Sequence, residues 1–311
     1  MKIGILTIHD LNFHPNGRLD QAARYRRHRL ILINPYQVVC FLENQVSGID
    51  RCKDPVSGDL PDVVLPRQGS PMGEYGFVLL RQFQAMGIPL VNGLEGVTIA
   101  RHQYITLQTL AAAGIPVPNT CFVTRPAPFF DAVDRVGGYP LVVKQPSGMG
   151  GDGVFKIDDA DQARSCVDTR LDPVKGLLVQ RFIPISGRVD ARILVIGGQV
   201  AGAITLLPAS NDFRTNIHRH GRATAFDPPA SWKRMAVAAA RACRLDIAGI
   251  DMMGRNKGQP CVIEVNYSPG FRGLEAATGI DIAMKIIDFA AAGTGSNPLG
   301  QTGWKRPARH T

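Results

Sequence analysis

Gly249-Ile250-Asp251-Met252 and Val262-Ile263-Glu264-Val265-Asn266 are two apolar runs, each interrupted by a carboxylate. Short runs rich in Val and Ile read as buried strands. Side chains alternate faces along a strand, so Glu264 and Asn266 share one face. Asp251 on a neighbouring strand can join them. An unpaired carboxylate inside an apolar run is costly, which points to a cation beside Glu264. Two carboxylates and an amide oxygen suit Mg²⁺, which takes oxygen ligands and keeps substrate phosphates in its shell. His and Cys are missing from the set, which argues against zinc. The alternative is a pair of strand ends whose polar residues meet solvent.

Upstream, Ser147-Gly148-Met149-Gly150-Gly151-Asp152-Gly153 contains a G-x-G-x-x-G pattern. The dinucleotide fingerprint needs a helix after such a loop. Here Val154-Phe155-Lys156-Ile157 follows with a strand pattern, so the loop closes a hairpin. Its glycines let backbone N–H groups lie against phosphate oxygens without Cβ interference. A plain glycine turn is the alternative. Lys144, on the strand before the loop, can reach a phosphate or can be a solvated strand-end lysine. Protein-kinase catalytic motifs and a Walker A motif are absent. Asp212-Phe213-Arg214-Thr215-Asn216 is a further polar motif, followed by His218-Arg219-His220. If extended, Arg214 and Asn216 face one way, and an arginine neutralises a transferring phosphoryl group. A surface loop is the alternative reading.

These motifs sit in a chain of 311 residues, enough for about two domains. Six cysteines form no C-x-x-C pair, so reduced thiols in a cytoplasmic protein are expected. No apolar run approaches the length of a membrane helix, and Met1–Ile8 is too short for a signal peptide. The net charge of +9 favours an anionic partner. Strands are expected at Lys2–Ile8, Arg29–Ile33, Val38–Leu42, Asp62–Leu65 and Pro89–Val91, with helices at Leu19–His28 and Glu74–Met86. That alternation predicts a parallel sheet with crossover helices. A helix Thr98–Ala113, ended by Gly114, opens a second region with strands Cys121–Val123, Pro140–Lys144, Val154–Ile157 and Leu177–Phe182. A third region carries strands Asp190–Ile196, Gln199–Leu206, Gly249–Met253 and Pro260–Val265, and helices Ser231–Cys243 and Asp281–Ala292. The fold class is α/β, of mixed α+β character.

In order and spacing the motifs resemble the RimK-type ATP-grasp ligases, from Met1 to about Ile287. The stretches that carry the resemblance are Leu141–Lys144 with the glycine loop, Asp212–Arg219, Ala248–Asp251, and Val262–Asn266 through Ser268-Pro269-Gly270 to Thr278-Gly279-Ile280-Asp281. The resemblance implies an ATP-grasp fold preceded by a small parallel-sheet pre-ATP-grasp domain. Residues 1–97 would form that first domain, 98–183 the small subdomain with the phosphate loop, 184–295 the large subdomain with the magnesium site, and 296–311 a flexible basic tail.

It also implies ATP and Mg²⁺, with Mn²⁺ as a substitute. Lys144, Gly148, Gly150, Gly151 and Gly153 would contact phosphates. Gln180, Arg181 and Phe182 would form the hinge that reads adenine, and Asp190 would meet the ribose. Arg214, Thr215 and Asn216 would lie near the γ-phosphate, with Arg214 and Asn216 catalytic. Asp251, Glu264 and Asn266 would ligate the metal. The implied chemistry is activation of a carboxylate as an acyl phosphate, which an amine then displaces to leave an amide. The amine would belong to an amino acid, glutamate or similar, and the acceptor would be a peptide, protein or small molecule. Relatives commonly form dimers or tetramers, so a homo-oligomer is implied.

Three positions depart from the family pattern. Gln103 stands where a second ATP-contacting lysine is expected, and Arg181 replaces an acid of the hinge. Both bear on nucleotide affinity and choice. Leu206-Leu207-Pro208-Ala209 replaces a basic segment, which points away from a ribosomal-protein tail as acceptor. Two rivals stand beside the ligase. One is a phosphotransferase using the same cleft. The other is a non-enzymatic nucleic-acid-binding protein, suggested by a pI of about 9.5 and the Arg24–Arg29 cluster. The latter predicts steeply salt-dependent binding, but aromatic residues are only 7% and no aromatic-interleaved RNA signature appears.

Overall fold

A computed structural model describes residues 1–51, 60–67, 73–146, 153–207, 222–255 and 259–292. The first unit contains β1 (Lys2–Leu6), α1 (His14–Tyr25), β2 (Arg29–Ile33), β3 (Val38–Glu43), β4 (Val46–Arg51), β5 (Val63–Pro66) and α2 (Gly73–Ala85). β2, β1 and β5 form a parallel sheet in that order. Ile3, Ile5 and Leu6 are fully buried, as a strand covered on both faces requires.

Val38–Leu42 does not join the parallel sheet. It pairs with β4 as a separate antiparallel hairpin, turning at Asn44 and Gln45 with φ of 49° and 67°. Both angles belong to the primed turn that favours hairpins, but Asn-Gln is a weak sequence signal for it. Pro89–Val91 makes only an isolated bridge, Val64 to Leu90. α1 begins five residues earlier than Leu19, because Pro15 is accepted in its first turn. Gly17 belongs there as well. A Cβ at that position would lie 2.6 Å from the Leu11 carbonyl, which packs on the helix.

The expected helix Thr98–Ala113 is two helices, α3 (Leu94–Arg101) and α4 (Gln103–Ala112), separated at His102 in an extended conformation. β6 (Thr120–Val123), α5 (Pro126–Val136), β7 (Leu141–Lys144), β8 (Val154–Ile157), α6 (Ala160–Arg170) and β9 (Leu177–Arg181) follow. Their antiparallel sheet has the order β6-β9-β7-β8. Phe129, Val133 and Val136 of α5 and Ala163 of α6 cover it.

The last sheet is built from β10 (Arg188–Ile196), β11 (Gln199–Leu207), β12 (Arg222–Ala225), β13 (Ile247–Arg255) and β14 (Cys261–Asn266). α7 (Ala230–Ala242) precedes β13, and α8 (Arg272–Thr278) and α9 (Ile282–Ala292) follow β14. The strand order is β12-β11-β10-β13-β14. One face, with Ile193, Val195, Ile250 and Val265, packs on Trp232, Ala236 and Ala239 of α7. The other face is split. Leu194, Ile196, Ile204 and Ile247 pack with Ile282, Ile286 and Ile287 of α9. Further along the same strands, period-2 alternation brings Asp190, Arg192, Asp251 and Glu264 to that face. Apolar packing ends where the charged row begins.

The N-terminal unit is tied to the last one by polar contacts. Arg26 donates two hydrogen bonds to Asp288, both at 2.7 Å. Arg18 Nε donates to Glu275 at 3.1 Å.

Candidate active site

The expected neighbours are neighbours. Asp251 on β13 is the cross-strand partner of Glu264 on β14, and Gly249 is the partner of Asn266. Directly opposed side chains of antiparallel strands have Cβ atoms about 5 Å apart. The register shifts after Asp251, so that Met252 pairs with Val262 and Ile263 is left over. This bulge resets the alternation. Val262 and Val265 both turn to the α7 side, while Glu264 and Asn266 keep the other face.

Two carboxylates so close repel one another. Arg192, opposite Asp251 on β10, offsets that repulsion. Its Nε and Nη2 donate to the two Asp251 oxygens, each at 2.7 Å. The two acids hold the Arg192 guanidinium well above its ordinary pKa. Glu264 has protein on most sides and yet stays open to solvent. Burial and the Asp251 charge push its carboxyl pKa up, against the pull of Arg192 and Lys144.

Lys144 enters from the middle sheet. It ends β7 and is buried at 8% exposure. Burial lowers its pKa, while Glu264 and Asp251 act in the opposite direction. Its charge is thus electrostatically coupled to both carboxylates. The β7–β8 hairpin has the expected form, with Lys144 opposite Val154. Gly153 closes it at φ 84°, where the Gln145 N–H donates to its carbonyl at 3.0 Å. The Gln103 N–H donates to the Pro146 carbonyl at 3.3 Å, which places this departure from the family pattern against the stem of the glycine loop.

The other anticipated residues are distributed as follows. Gln180 is buried, and its Nε2 donates to Thr120 Oγ1 at 2.8 Å. Arg181 exposes its side chain, and its backbone N–H already donates to the Asn119 carbonyl at 2.9 Å. Phe182 lies under the Lys156 ammonium, 5.3 Å from the ring centre. Asp190 has a protein partner, since Arg188 Nε and Nη2 donate to its two oxygens at 2.5 and 2.8 Å. Gly148, Gly150, Gly151, Arg214, Thr215 and Asn216 lie outside the described residues.

Sequence reasoning missed Arg192 and Arg188. Their signal was available, because Arg188-Val189-Asp190-Ala191-Arg192-Ile193 alternates charged and apolar residues along an expected strand.

The donor set fits a hard divalent cation. Among the described residues no group of three His, Cys, Asp or Glu side chains gathers; the donors on the shared face of β13 and β14 are two carboxylates and one amide. A carboxylate oxygen that accepts one hydrogen bond keeps a further lone pair. Asp251 can thus serve Arg192 and a cation together. The same holds for Asn266 Oδ1, which accepts the Ser268 N–H at 2.9 Å. The bulky and soft ligands that select zinc are absent from the row.

Residues 100–290 match the RimK-like ATP-grasp domain, and residues 1–97 match the RimK PreATP-grasp domain. The chain belongs to the RimK ATP-grasp family. By family it is an ATP-dependent ligase of the amide-forming class. It is 35% identical over 305 residues to a "Probable alpha-L-glutamate ligase 1" of Shewanella amazonensis, covering 97% of this chain and 99% of that one. It is 37% identical over 289 residues to a "Probable alpha-L-glutamate ligase" of Syntrophotalea carbinolica, covering 93% and 95%. A RimK domain ATP-grasp protein from Sphaerobacter thermophilus superposes with a TM-score of 0.72 at 23% identity, over 94% of this chain and 100% of that one. The D-alanine–D-alanine ligase of Bacillus anthracis, solved with ATP, shares the fold with a TM-score of 0.68 at 19% identity, over 94% and 97%. No helix among the described residues is long and apolar enough to cross a membrane.

Proposed function

We propose that this RimK-family ligase joins a carboxylate, activated by ATP as an acyl phosphate, to the amine of an amino acid, glutamate or similar. The acceptor carboxylate would belong to a peptide, protein or small molecule. The observation that carries this reading is the row Arg192, Asp251 and Glu264 across three adjacent strands, with Lys144 facing it from the neighbouring sheet. Relatives that share about a third of their residues with this chain are named as glutamate ligases, which supports the choice of amine.

In this reading Asp251, Glu264 and Asn266 would hold Mg²⁺, which when bound neutralises the transferring phosphoryl group. Arg192 fixes the orientation of Asp251 through two parallel hydrogen bonds. Lys144 places a desolvated positive charge beside the carboxylates, where phosphate oxygens would lie. Arg214 and Asn216 would complete the set at the γ-phosphate, and Gly148 to Gly153 would cover the phosphates from above. The chain supplies positioning and charge, and the reading requires no covalent protein nucleophile.

An ADP-release screen of L-amino acids against candidate carboxylates, followed by product mass, tests the proposal. ADP formation that requires both components, with a product heavier by the amino acid less water, is expected. A stable phosphorylated product formed without amine would instead establish a phosphotransferase.

A further inference from the structure

Arg67 follows β5 and is buried at 8% exposure. Its Nη2 donates to the Pro269 carbonyl at 2.7 Å, and its guanidinium lies 5.7 Å from the centre of the Phe271 ring. Its Nε has no partner. Among the described residues no carboxylate offsets its charge, and burial alone brings its pKa down to about 10. A guanidinium withdrawn from water without a counter-charge is costly to keep, so a retained one calls for an anion that no described residue supplies.

Two further orphaned atoms are close by. His14 Nδ1 and Asn16 Oδ1 are buried without a hydrogen-bond partner. The His14 ring lies 6.0 Å from the same Phe271 ring. Asn16 Nδ2 lies 3.4 Å from Thr7 Oγ1, and Thr7 follows Leu6, whose carbonyl accepts the Arg67 N–H at 3.0 Å. Three of the five orphaned side-chain atoms among the described residues thus gather at one place, the carboxyl ends of β1 and β5. In open parallel sheets that edge is where ligands bind.

The opposite lip is the Pro269–Phe271 turn that leaves β14. Asn266 and Pro269 are three residues apart, so at most about 11 Å of chain separates the proposed metal ligand from the Arg67 acceptor. The crevice and the proposed metal site therefore lie on one short segment of chain.

We propose that Arg67 anchors a carboxylate of the amino-acid substrate that does not react, in the crevice between the ends of β1 and β5 and the Pro269–Phe271 turn. The proposal rests on the ligase reading and adds the site that would orient the incoming amine. The planar fork of N–H groups matches a carboxylate through paired hydrogen bonds. The anchored group is either the α-carboxylate or a side-chain carboxylate, and the two are separable by analogue.

The test is calorimetric titration of the full chain, saturated with ADP and Mg²⁺. The probes are L-glutamate, L-glutamine, which lacks the side-chain carboxylate, and glutamic acid α-amide, which lacks the α-carboxylate. In the wild type, the analogue missing the anchored group should bind about tenfold or more weakly than L-glutamate. Arg67→Met should weaken L-glutamate by at least that factor and erase the difference between analogues, with ADP affinity unchanged. Arg67→Lys, which keeps the charge and loses the fork, should fall between the two.

Arg67→Met should also melt no lower than the wild type without ligand, since it removes an uncompensated buried charge, and L-glutamate should raise the melting temperature of the wild type alone. Unchanged L-glutamate affinity in Arg67→Met overturns the proposal, as does an equal loss of ADP affinity. Wild-type binding of ADP with none of the three probes also overturns it and leaves the ligase reading standing. Failure of the wild type to bind ADP removes the ligase reading itself.

Discussion

Asn92 is buried and joins two units of the molecule through one side chain. Its Oδ1 accepts the Ile247 N–H at 2.7 Å, and its Nδ2 donates to the carbonyls of Ile247 and Tyr267 at 2.7 and 2.8 Å. Ile247 opens β13 and Tyr267 follows β14, so this contact fixes the ends of the two strands that carry Asp251 and Glu264. Replacing Asn92 by Leu strands three buried backbone groups, and urea denaturation should show a loss of about 3 kcal/mol or more. A loss of a few tenths would show that water replaces the amide. The carboxylates of the site were legible at this scale, because polar residues at alternate positions in an apolar run declare a face. Asn92 was not, because its three partners are distant in sequence and nothing local marks it.

Elements meet at the site through close backbone approach. A Cβ at Gly249 would lie 2.8 Å from the Pro269 ring, so the glycine lets the turn after β14 rest on the start of β13. Gly249→Ala should displace that turn, lower stability by about 1–3 kcal/mol, and raise the KM for MgATP through Asn266. Unchanged melting and unchanged KM together would mean that the turn yields at no cost. Four strands of the last sheet were legible as elements, since long apolar runs have little choice, whereas the short β12, Arg222-Ala223-Thr224-Ala225, was not. The hairpin of β3 and β4 was not, because Val46-Ser47-Gly48-Ile49 has a weak alternation and its turn lacks glycine. The division between α3 and α4 was also hidden. His102 alone leaves the helical conformation there, and helical periodicity runs through it.

For the whole molecule, the net charge of +9 leaves cations in excess of acids, but part of the basic cluster near the N-terminus is already paired. In the Arg24–Arg29 stretch, Arg24 pairs with Asp20 at 2.8 Å and Arg26 with Asp288 at 2.7 Å. Cations already paired with acids are poor phosphate-backbone contacts, which weighs against the nucleic-acid reading. Stability should carry a signature of Asp246, whose carboxyl is pushed above its ordinary 3.8 by burial. A raised carboxylate contributes stability that is full below the unfolded pKa and is lost as pH rises through the folded one. Asp246→Asn should therefore gain on the wild type as pH rises from 4 towards neutrality, read as urea midpoints at each pH. A constant difference between the two across that range would assign the shift to another group.

In the proposed function the row of Asp251, Glu264 and Asn266 holds the metal for a ligase reaction. That assignment is tested most directly by measuring ADP release with carboxylate and amine present, in the wild type and in Glu264→Ala. The wild type should release ADP only with both substrates, and Glu264→Ala should fall to background while melting near the wild-type temperature. Near-normal turnover in Glu264→Ala would mean that the row holds no metal needed for the reaction.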